Sequence, residues 1–361
     1  MLRCIHDDPR LELLLVVTGM HLVSHYGETV CLVEASGLPI GARVDMLLAG
    51  DSRSAMAKGV GLAVIGITQA LEQLAPDVVL LLGDRGEMLA GAIAAVHLRI
   101  PVAHCHGGEV SGSVDELVRH AISKLAHVHF VATPSSAERL LRLGERREYV
   151  FVTGAPGLDA ALREPALTAD AVRSLHGLAP DRPWGLVIYH PDTGVADSGA
   201  EMDGIIAGLG GYDGQLVVFE PNSDTGRQAI VERLEKLANR PNTVVLKNVS
   251  RPAFLGLLAY AQFLVGNSSS GIIEAPSFGV PAVNVGRRQD GRERGDNVLD
   301  VRAERRAIAA GVARACGDAA FLDRVARRRN PYGDGKAGER IAETLAGLRL
   351  GPKLLDKRLS Y

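Results

Sequence analysis

The segment HCHGGEVSGSVDELVRH, residues 104–120, brings histidines, carboxylates and an arginine together at a spacing suited to proton transfer. Few of its residues are apolar, so it is not built to fill a core. A second motif, GDRGE, places Asp84 and Arg85 directly after a predicted strand. Clustered carboxylates and arginines suit proton transfer at carbon, because burial and neighbouring charge can tune acids toward neutral pKa values.

The second half of the segment contains a predicted helix start. Ser113 and Glu116 fit the S-x-x-E capping box, which assigns Glu116 to the helix terminus and not to chemistry. Asp115 and Arg119 lie four residues apart and share a helix face. They are either a solvated surface pair or part of a site, and their position after a strand favours the site.

His104, His106 and Glu109 also resemble a metal-binding set. Alternate residues of a strand point the same way, but no further ligand of defined geometry follows them. We therefore expect proton transfer and no metal.

A candidate phosphate site lies in GNSSSGIIEAPSFG, residues 266–279. A strand end, a loop of small residues and a helix start expose backbone N–H groups there, and Ser268, Ser269 and Ser270 add hydroxyl donors. The alternative is an ordinary serine N-cap. Glu274 either accepts from ribose or sugar hydroxyls or complements the helix dipole.

The loop GRRQDGRERGDNV, residues 286–298, follows this motif with four arginines and several glycines. Such a loop could close over a nucleotide diphosphate with bidentate arginine contacts. It could equally be a solvated loop.

Short β-rich runs alternate with amphipathic stretches along the chain, which predicts parallel α/β units. Predicted strands include LELLLVVTG, DVVLLLGDRGE, PVAHCHGGE and HFVATP in one half, and WGLVIYHP, QLVVFEPN, NTVVLKN, FLVGNSSSG and PAVNVG in the other. Polar clusters follow these strands, where doubly wound sheets bind ligands. The fold class is therefore α/β, with two Rossmann-like doubly wound domains facing across a cleft and a boundary near residues 160–170.

Composition limits the possible classes of protein. A chain of 361 residues is longer than a single hydrophobic core usually supports, which predicts two domains. Its 40 basic and 42 acidic residues give a net charge of -2, and this balance argues against a nucleic-acid partner. Four cysteines without C-x-x-C spacing indicate reduced thiols. No signal peptide and no apolar run of membrane-spanning length are evident, so we expect a cytoplasmic protein without a membrane partner.

Five motifs in order resemble the hydrolysing UDP-N-acetylglucosamine 2-epimerases. They are GDRGE, HGGEVSGSVDELVRHAISKLAHVHF, GNSSSGIIE, GRRQDGRERGDNV and NPYGDGKAGERI. Arg85 after Asp84, and the GGE triplet, are similar to the hydrolysing branch of the family; the non-hydrolysing branch tends to read GDT and EAG there. The resemblance extends from about Leu2 to the C-terminal region.

This resemblance implies a glycosyltransferase-B-like fold with a first domain over 1–165, a nucleotide-binding domain over 166–339 and a last helix, within 340–361, that returns to the first domain. It implies a UDP-sugar substrate, no cofactor and a homodimer or homotetramer. The reaction eliminates UDP from C1 as a base removes the C2 proton, then adds water to the resulting glycal. The sugar released, N-acetylmannosamine or an analogue, feeds sialic- or legionaminic-acid-type synthesis.

The resemblance also implies roles for residues in proton transfer. Asp84, Glu109 and Asp115 match the catalytic carboxylates of the family, and the residue that takes the C2 proton is not distinguished among them. Arg119 orients Asp115 or binds diphosphate. His190, in YHPDTG, stabilises or protonates the departing phosphate.

Substrate contacts follow from the same comparison of motifs. His21, in TGMHL, reaches the sugar or is a packed or capping histidine, and Arg85 contacts the substrate. The residues assigned to the nucleotide are Asn222, Ser268, Ser269, Glu274 and Arg288.

The chain departs from the family at its N-terminus, where the strand and turn similar to TGTRAEYG are missing. Roughly 20–25 residues are lacking at usual element lengths. One hypothesis is that the start codon was assigned too late, so that this form has a weakened first domain and low activity. The other is that the short form is a pseudoenzyme that binds a nucleotide sugar. We favour the first hypothesis. A non-hydrolysing epimerase and a glycosyltransferase of the same fold, which needs an acceptor, are further alternatives.

Overall fold

The computed structural model describes the chain in two compact units. The described residues are 1–23, 29–48, 53–110, 114–192, 197–221, 226–247, 249–358 and 360. Unit 1 contains Met1–Glu109, Val114–Asp159 and Lys336–Tyr361, and unit 2 is formed mainly by Ala160–Gly335. Compared with the predicted domains, residues 160–165 fall in unit 2 and residues 336–339 in unit 1.

Unit 2 is built on one parallel sheet of six strands in the order β12-β11-β10-β7-β8-β9. Its strands are β7 (Trp184–Ile188), β8 (Gln215–Phe219), β9 (Thr243–Leu246), β10 (Phe263–Gly266), β11 (Ala282–Val285) and β12 (Val298–Val301). The order reverses between β7 and β10, which are hydrogen-bonded neighbours. This is the doubly wound arrangement that the alternating pattern predicts, and its switch point lies between these two strands.

Helices cover both faces of this sheet. They are α8 (Ala169–His176), α9 (Ser198–Gly208), α10 (Arg227–Ala238), α11 (Arg251–Ala259), α12 (Ser270–Ile273), α13 (Ala275–Phe278), α14 (Arg305–Gly317) and α15 (Ala319–Val325). Alternate strand residues enter two cores: Val187 and Val265 join one, and Leu186 and Leu264 join the other. Burial on both faces explains why these strands read as continuous apolar runs.

Unit 1 contains two separate parallel sheets. Strands β3 (Val79–Leu82), β4 (Val102–Cys105), β5 (Val128–Val131) and β6 (Val150–Val152) form one, and β1 (Leu15–Thr18) and β2 (Ile40–Val44) form the other. Within the described residues, β1 pairs only with β2 and β3 pairs only with β4. No strand of the described residues pairs with both β1 and β3, so the two sheets stay separate there.

Unit 1 contains the longest described helix, α3. Its helices are α1 (Leu2–His6), α2 (Val30–Ala35), α3 (Arg53–Leu74), α4 (Gly86–His97), α5 (Val114–Leu125), α6 (Pro134–Arg142), α7 (Pro156–Arg163), which ends in unit 2, α16 (Ala337–Ala346) and α17 (Pro352–Leu355). By length and composition Ser54–Leu74 could cross a membrane, with a hydropathy of 1.3. The expectation that no apolar run reaches this length was therefore wrong. Its inner residues, such as Ala63 and Ile67, pack in the core of unit 1.

The C-terminal helices α16 and α17 belong to unit 1. Buried Asp159 accepts hydrogen bonds from the backbone N–H groups of Ala337, at 2.9 Å, and Gly338, at 2.5 Å. Ile341 of α16 and Leu354 of α17 then pack against strands β4 and β5. A buried carboxylate at the start of α16 also complements the positive end of that helix.

Candidate functional site

Asp84 follows β3 at a turn that a buried histidine holds in place. Gly83 adopts a φ of +86°, and its N–H donates to the carbonyl of Cys105 at 3.1 Å. Nε2 of His104 lies 2.8 Å from the Gly83 carbonyl, and Nδ1 lies 3.2 Å from Oγ of Ser123. Burial lowers the pKa of His104 to about 3, so its ring is neutral near pH 7 and donates through Nε2. His104 thus fixes the turn that carries Asp84.

Arg119 connects the turn after β3 with the turn after β4. Its side chain is only 3% exposed and forms an ion pair with Asp84 through Nη2. Its Nη1 donates to the backbone carbonyl of Glu109 at 3.0 Å. Arg119 was expected to contact Asp115 or a diphosphate, and its contacts among the described residues are to Asp84 and Glu109. The side chain of Asp115 lies outside the described residues.

Glu109 pairs with His106, which was predicted only as a possible metal ligand. The two side chains are largely buried, and Nδ1 of His106 lies 2.6 Å from Oε1 of Glu109. His106 adopts a φ of +65°, which is uncommon for a residue with a side chain. At Gly108 a Cβ would lie 2.3 Å from the Ser136 carbonyl, so the GG pair allows the tight turn that brings Glu109 back onto His106.

His104 and His106 therefore contact different groups. The ring of His104 is bonded to Gly83 and Ser123, whereas that of His106 contacts Glu109. In the part of the chain that the structure describes, no three His, Cys, Asp or Glu side chains are grouped to hold a metal ion.

The turns after β1 and β3 meet beside Asp84. A Cβ at Gly19 would lie 2.8 Å from Oε1 of Glu87, in the first turn of α4. Arg85 donates to the same carboxylate at 3.2 Å and is 61% exposed. The exposed ring of His21 lies 2.7 Å from Oγ1 of Thr29. The guanidinium of Arg85 is therefore exposed beside the carboxylate of Glu87, whereas the ring of His21 contacts the hydroxyl of Thr29.

In unit 2, Asn267 joins the ends of the two strands at the switch point. Its Oδ1 accepts from the His190 backbone N–H at 2.7 Å, and its Nδ2 donates to the His190 carbonyl at 2.8 Å. A Cβ at Gly266 would lie only 2.0 Å from the Ile188 carbonyl, so glycine is required there. His190 and the serine loop are thus adjacent, in the place where doubly wound sheets bind ligands.

The serines follow β10 directly. Ser268 is 8% exposed, and its Oγ accepts from the Ser270 backbone N–H at 3.3 Å. Ser269 occupies the N-cap position of α12 but makes no side-chain capping bond. The Ser269 hydroxyl is therefore not used in capping, whereas Ser268 accepts one backbone N–H of the first turn of α12, so the alternative of a serine cap stays open for Ser268.

Arg288 and Glu274 lie near the same loop. Nη1 of Arg288 donates to the Asn267 carbonyl at 3.3 Å. Burial raises the pKa of Glu274, and its Oε2 atom is buried without a hydrogen-bond partner among the described residues. A buried carboxylate oxygen without a donor is costly, so this atom is suited to accept from a ligand hydroxyl. Asn222 lies outside the described residues.

Each unit thus has a distinct chemical character. Unit 1 joins the Asp84 carboxylate and the backbone of Glu109 through one buried guanidinium, and the Glu109 carboxylate pairs with His106, which suits proton transfer. Unit 2 places His190, small hydroxyl side chains and Arg288 at its switch point, which suits an anionic nucleotide.

Comparison with known proteins finds curated 2-epimerases that match most of this chain. A hydrolysing UDP-N,N'-diacetylbacillosamine 2-epimerase of Legionella pneumophila is 44% identical over 362 residues, covering 100% of this chain and 95% of the relative. A UDP-N-acetylglucosamine 2-epimerase of Neisseria meningitidis is 34% identical over 318 residues, covering 88% and 83%.

Solved structures share the fold. The UDP-GlcNAc 2-epimerase of Neisseria meningitidis bound to UDP-GlcNAc superposes with a TM-score of 0.83 at 21% identity, covering 96% of this chain and 95% of that one. The fold is glycosyltransferase-B-like, as expected. The UDP-N-acetylglucosamine 2-epimerase family matches residues 3–346. The chain therefore belongs to the UDP-N-acetylglucosamine 2-epimerase family.

Proposed function

We propose that this protein is a hydrolysing 2-epimerase that converts a UDP-2-acetamido sugar and water into the free 2-epimer and UDP. The substrate we favour is a UDP-2,4-diacetamido-6-deoxy sugar. The support is the 44% identity to a relative named for UDP-N,N'-diacetylbacillosamine, against 34% to one named for UDP-N-acetylglucosamine. The released sugar would feed nonulosonate synthesis.

The observation that carries the proposal is the contact of Arg119 with both turns of unit 1. One buried guanidinium binds the Asp84 carboxylate and the Glu109 backbone, so the turns that carry the two acids are fixed to each other. Epimerisation at C2 needs a base on one face of the sugar and an acid on the other. A single carboxylate cannot serve both faces, whereas a fixed pair can.

In the proposed reaction a carboxylate removes the C2 proton, and the C–H electron pair forms the C1–C2 double bond of a glycal. The C1–O bond breaks, and UDP departs with the electron pair of that C1–O bond. Water then adds its oxygen at C1, and a proton is delivered to C2 from the opposite face. Atoms and charge balance without a cofactor, and the products are free sugar and UDP.

The nucleotide contacts are assigned to unit 2. His190 would stabilise the departing diphosphate, and the hydroxyls of Ser268 and Ser269 would bind its β-phosphate. Arg288 would contact the diphosphate as well, because its side chain bonds the Asn267 carbonyl directly before the serines. The unpartnered Oε2 of Glu274 would accept from ribose hydroxyls.

The test is product analysis with two substrates. The protein is incubated separately with UDP-N,N'-diacetylbacillosamine and UDP-N-acetylglucosamine, without an acceptor, and UDP and sugar products are followed by NMR. We expect free 2-epimer and UDP, with the larger kcat/KM for the diacetamido substrate. A 2-epimeric UDP-sugar would instead identify a non-hydrolysing epimerase, and a requirement for an acceptor would identify a glycosyltransferase.

Substitution of Asp84 and Glu109 tests whether these carboxylates transfer the protons. We expect Asp84→Asn and Glu109→Gln each to lower kcat by about 100-fold or more, the usual range for general acid–base groups. Asp77→Asn changes an exposed carboxylate before β3 and serves as the control. Equal activity of all three variants would contradict the assignment.

A further inference from the structure

The C-terminal end of α5 is held by a lysine from the far end of the chain. The final carbonyls of a helix have no partner within the helix, so they must bond elsewhere. Nζ of Lys357, which follows α17, donates to the carbonyl of Ser123 at 3.0 Å and to that of Ala126 at 2.5 Å. An ammonium group at this position also complements the negative end of the helix dipole.

A buried carboxylate completes the surroundings of the Lys357 ammonium group. Oε2 of Glu145 lies 2.7 Å from Nζ of Lys357, so the three N–H donors of the ammonium group have three acceptors. Oε1 of Glu145 lies 2.6 Å from Nζ of Lys124, which is itself a residue of α5. The end of α5 is therefore fixed at its backbone by Lys357 and at one of its side chains by Glu145.

Ser123, whose carbonyl Lys357 binds, also lies against the turns that follow β3 and β4. Its Oγ lies 3.2 Å from Nδ1 of His104, and Nε2 of that ring bonds the carbonyl of Gly83. A Cβ at Gly107, in the turn after β4, would lie 2.9 Å from Oγ of Ser123. Ser123 therefore packs against one of these turns and is connected to the other through His104.

Arg119 lies one helical turn before Ser123, on the same face of α5, and contacts the same two turns. It forms an ion pair with Asp84 after β3 and donates to the carbonyl of Glu109 after β4. Consecutive turns of a helix are joined by backbone hydrogen bonds, so a shift at Ser123 also moves the Arg119 guanidinium. A displacement of about 1 Å at a site can lower a rate about 100-fold.

We propose that Lys357 is a positioning residue for the C2 proton transfer and acts through α5 on Arg119 and Asp84. Lys357 sets the position of the last turn of α5, the helix transmits that position to Arg119, and Arg119 orients the Asp84 carboxylate. Among the described residues, the ammonium group contacts the end of α5 and Glu145, so it acts on the reaction through the helix. The effect on rate rests on the proposed function, whereas the effect on Arg119 does not.

A cluster that only stabilises the fold is the alternative. Such a cluster would change the fraction of folded protein and leave each folded molecule fully active. Two of the three acceptors of Lys357 are carbonyls at the end of the helix that carries Arg119. The contacts therefore favour a role in positioning that helix.

The first experiment measures kcat and KM of Lys357→Met, which removes the ammonium group and keeps a long side chain. We expect kcat per folded molecule to fall at least about tenfold and KM to change by less than about threefold, because the nucleotide contacts are assigned to unit 2. Circular dichroism at the assay temperature gives the folded fraction. Lys353→Met, at an exposed residue of α17, is the control and should keep the wild-type kcat. A fully folded Lys357→Met protein with the wild-type kcat would overturn the proposal.

Chemical rescue tests the ammonium group itself. Lys357→Cys, alkylated with 2-bromoethylamine, regains an ammonium group at the length of lysine. Its kcat should return to within about threefold of wild-type protein treated in the same way, because the contacts with α5 are restored. The treated wild type is the control, since Cys31 is exposed and also reacts. Alkylation that restores the melting temperature of this variant but not its kcat would show that Lys357 serves only stability.

NMR of the guanidinium groups tests the positioning without any turnover. The chain is labelled with ¹³C and ¹⁵N at arginine, and the Arg119 signal is assigned by its loss in Arg119→Lys. We expect this signal to shift in Lys357→Met and to stay in place in Lys353→Met. An unchanged signal in both variants would overturn the proposal. A wild type that releases no UDP would contradict the proposed function instead, and the NMR would still decide whether Lys357 positions Arg119.

Discussion

At the residue scale, the chemistry depends on side chains held by groups that are distant in sequence. Arg119 was expected to orient Asp115, its neighbour on the same helix face, or to bind diphosphate; the structure adds an ion pair with Asp84, 35 residues away, while the side chain of Asp115 lies outside the described residues. Helix periodicity shows which residues share a face and not which loop of the fold approaches that face. His106 was not predicted as a partner of Glu109 for the same reason: the turn through two glycines is what brings the two side chains together.

Because the backbone at His106 is strained, we expect a substitution there to lower activity while leaving stability nearly unchanged. A positive φ costs a histidine on the order of 1 kcal/mol, whereas asparagine tolerates it. We expect His106→Asn to change the free energy of unfolding by less than about 1 kcal/mol, because relief of strain offsets the lost contact with Glu109. The kcat of the epimerase reaction should fall at least about tenfold.

Arg99→Asn is the matched control, because Arg99 is exposed and also has a positive φ, of +57°. It should leave kcat unchanged. A large loss of stability in His106→Asn with kcat preserved would show that His106 serves only the fold.

The buried ring of His104 predicts a pH dependence of stability. Its pKa is lowered by burial to about 3, against 6.5 in the unfolded chain. Below pH 6.5 the unfolded chain therefore binds a proton that the folded unit excludes, and the stability is lost as the pH falls toward 3. Between pH 7 and pH 5, the wild type should lose about 2 kcal/mol more than His104→Gln.

The measurement is amide hydrogen exchange of β4 at both pH values, in both proteins. Both proteins contain the other buried histidines, so the difference between their losses of stability is due to His104. Equal losses in the two proteins would contradict a neutral, buried ring.

At the element scale, the strands of both units could be predicted because parallel strands buried on both faces are continuous apolar runs. The predicted strand in WGLVIYHP, for example, is β7, Trp184–Ile188. The length of α3 could not be predicted from a continuous apolar run, because glycines and Lys58 interrupt its apolar residues. The junction of β7 and β10 was also not evident, since it depends on Asn267 bonding the backbone of a residue 77 positions away.

Gly266 makes this junction testable. At Gly266→Ala the new Cβ would lie 2.0 Å from the Ile188 carbonyl, at a φ of +138°. We expect a loss of at least about 3 kcal/mol in the free energy of unfolding, because backbone atoms must move. Denaturant titration measures it.

Gly317→Ala at the end of α14, where a Cβ has no described neighbour within 4 Å, is the comparison and should change stability by less than about 1 kcal/mol. Equal stabilities of the two variants would show that the β7–β10 junction tolerates separation.

At the scale of the whole molecule, the C-terminal segment is attached to unit 1 by a buried ionic cluster. Glu145 contacts Lys124 at 2.6 Å, His129 at 3.0 Å and Lys357 at 2.7 Å, and is only 3% exposed at its side chain. Although burial alone raises the pKa of Glu145, these three hydrogen bonds lower it to about 2. The return of the C-terminus could be predicted from family motifs, whereas this cluster could not, because its members are scattered along the chain.

Lys357→Met should lower the free energy of unfolding of unit 1 by about 1.5–3 kcal/mol, the range for a hydrogen bond to a charged group. Protease cleavage near the C-terminus should accelerate in parallel, because the segment loses its attachment. Lys353→Met, at an exposed residue of α17, should have no such effect. Resistance to cleavage equal to that of the wild type would show that Lys357 does not hold the segment.

The central claim is that the C2 proton of a UDP-2-acetamido sugar is exchanged with solvent while UDP is lost. We would measure it in one turnover, with the protein in excess over UDP-N,N'-diacetylbacillosamine in D2O, and with NMR of the released sugar. We expect free sugar of inverted C2 configuration with deuterium at C2, together with one equivalent of UDP. Released sugar that retains hydrogen at C2, or UDP-sugar that is bound but never cleaved, would contradict it.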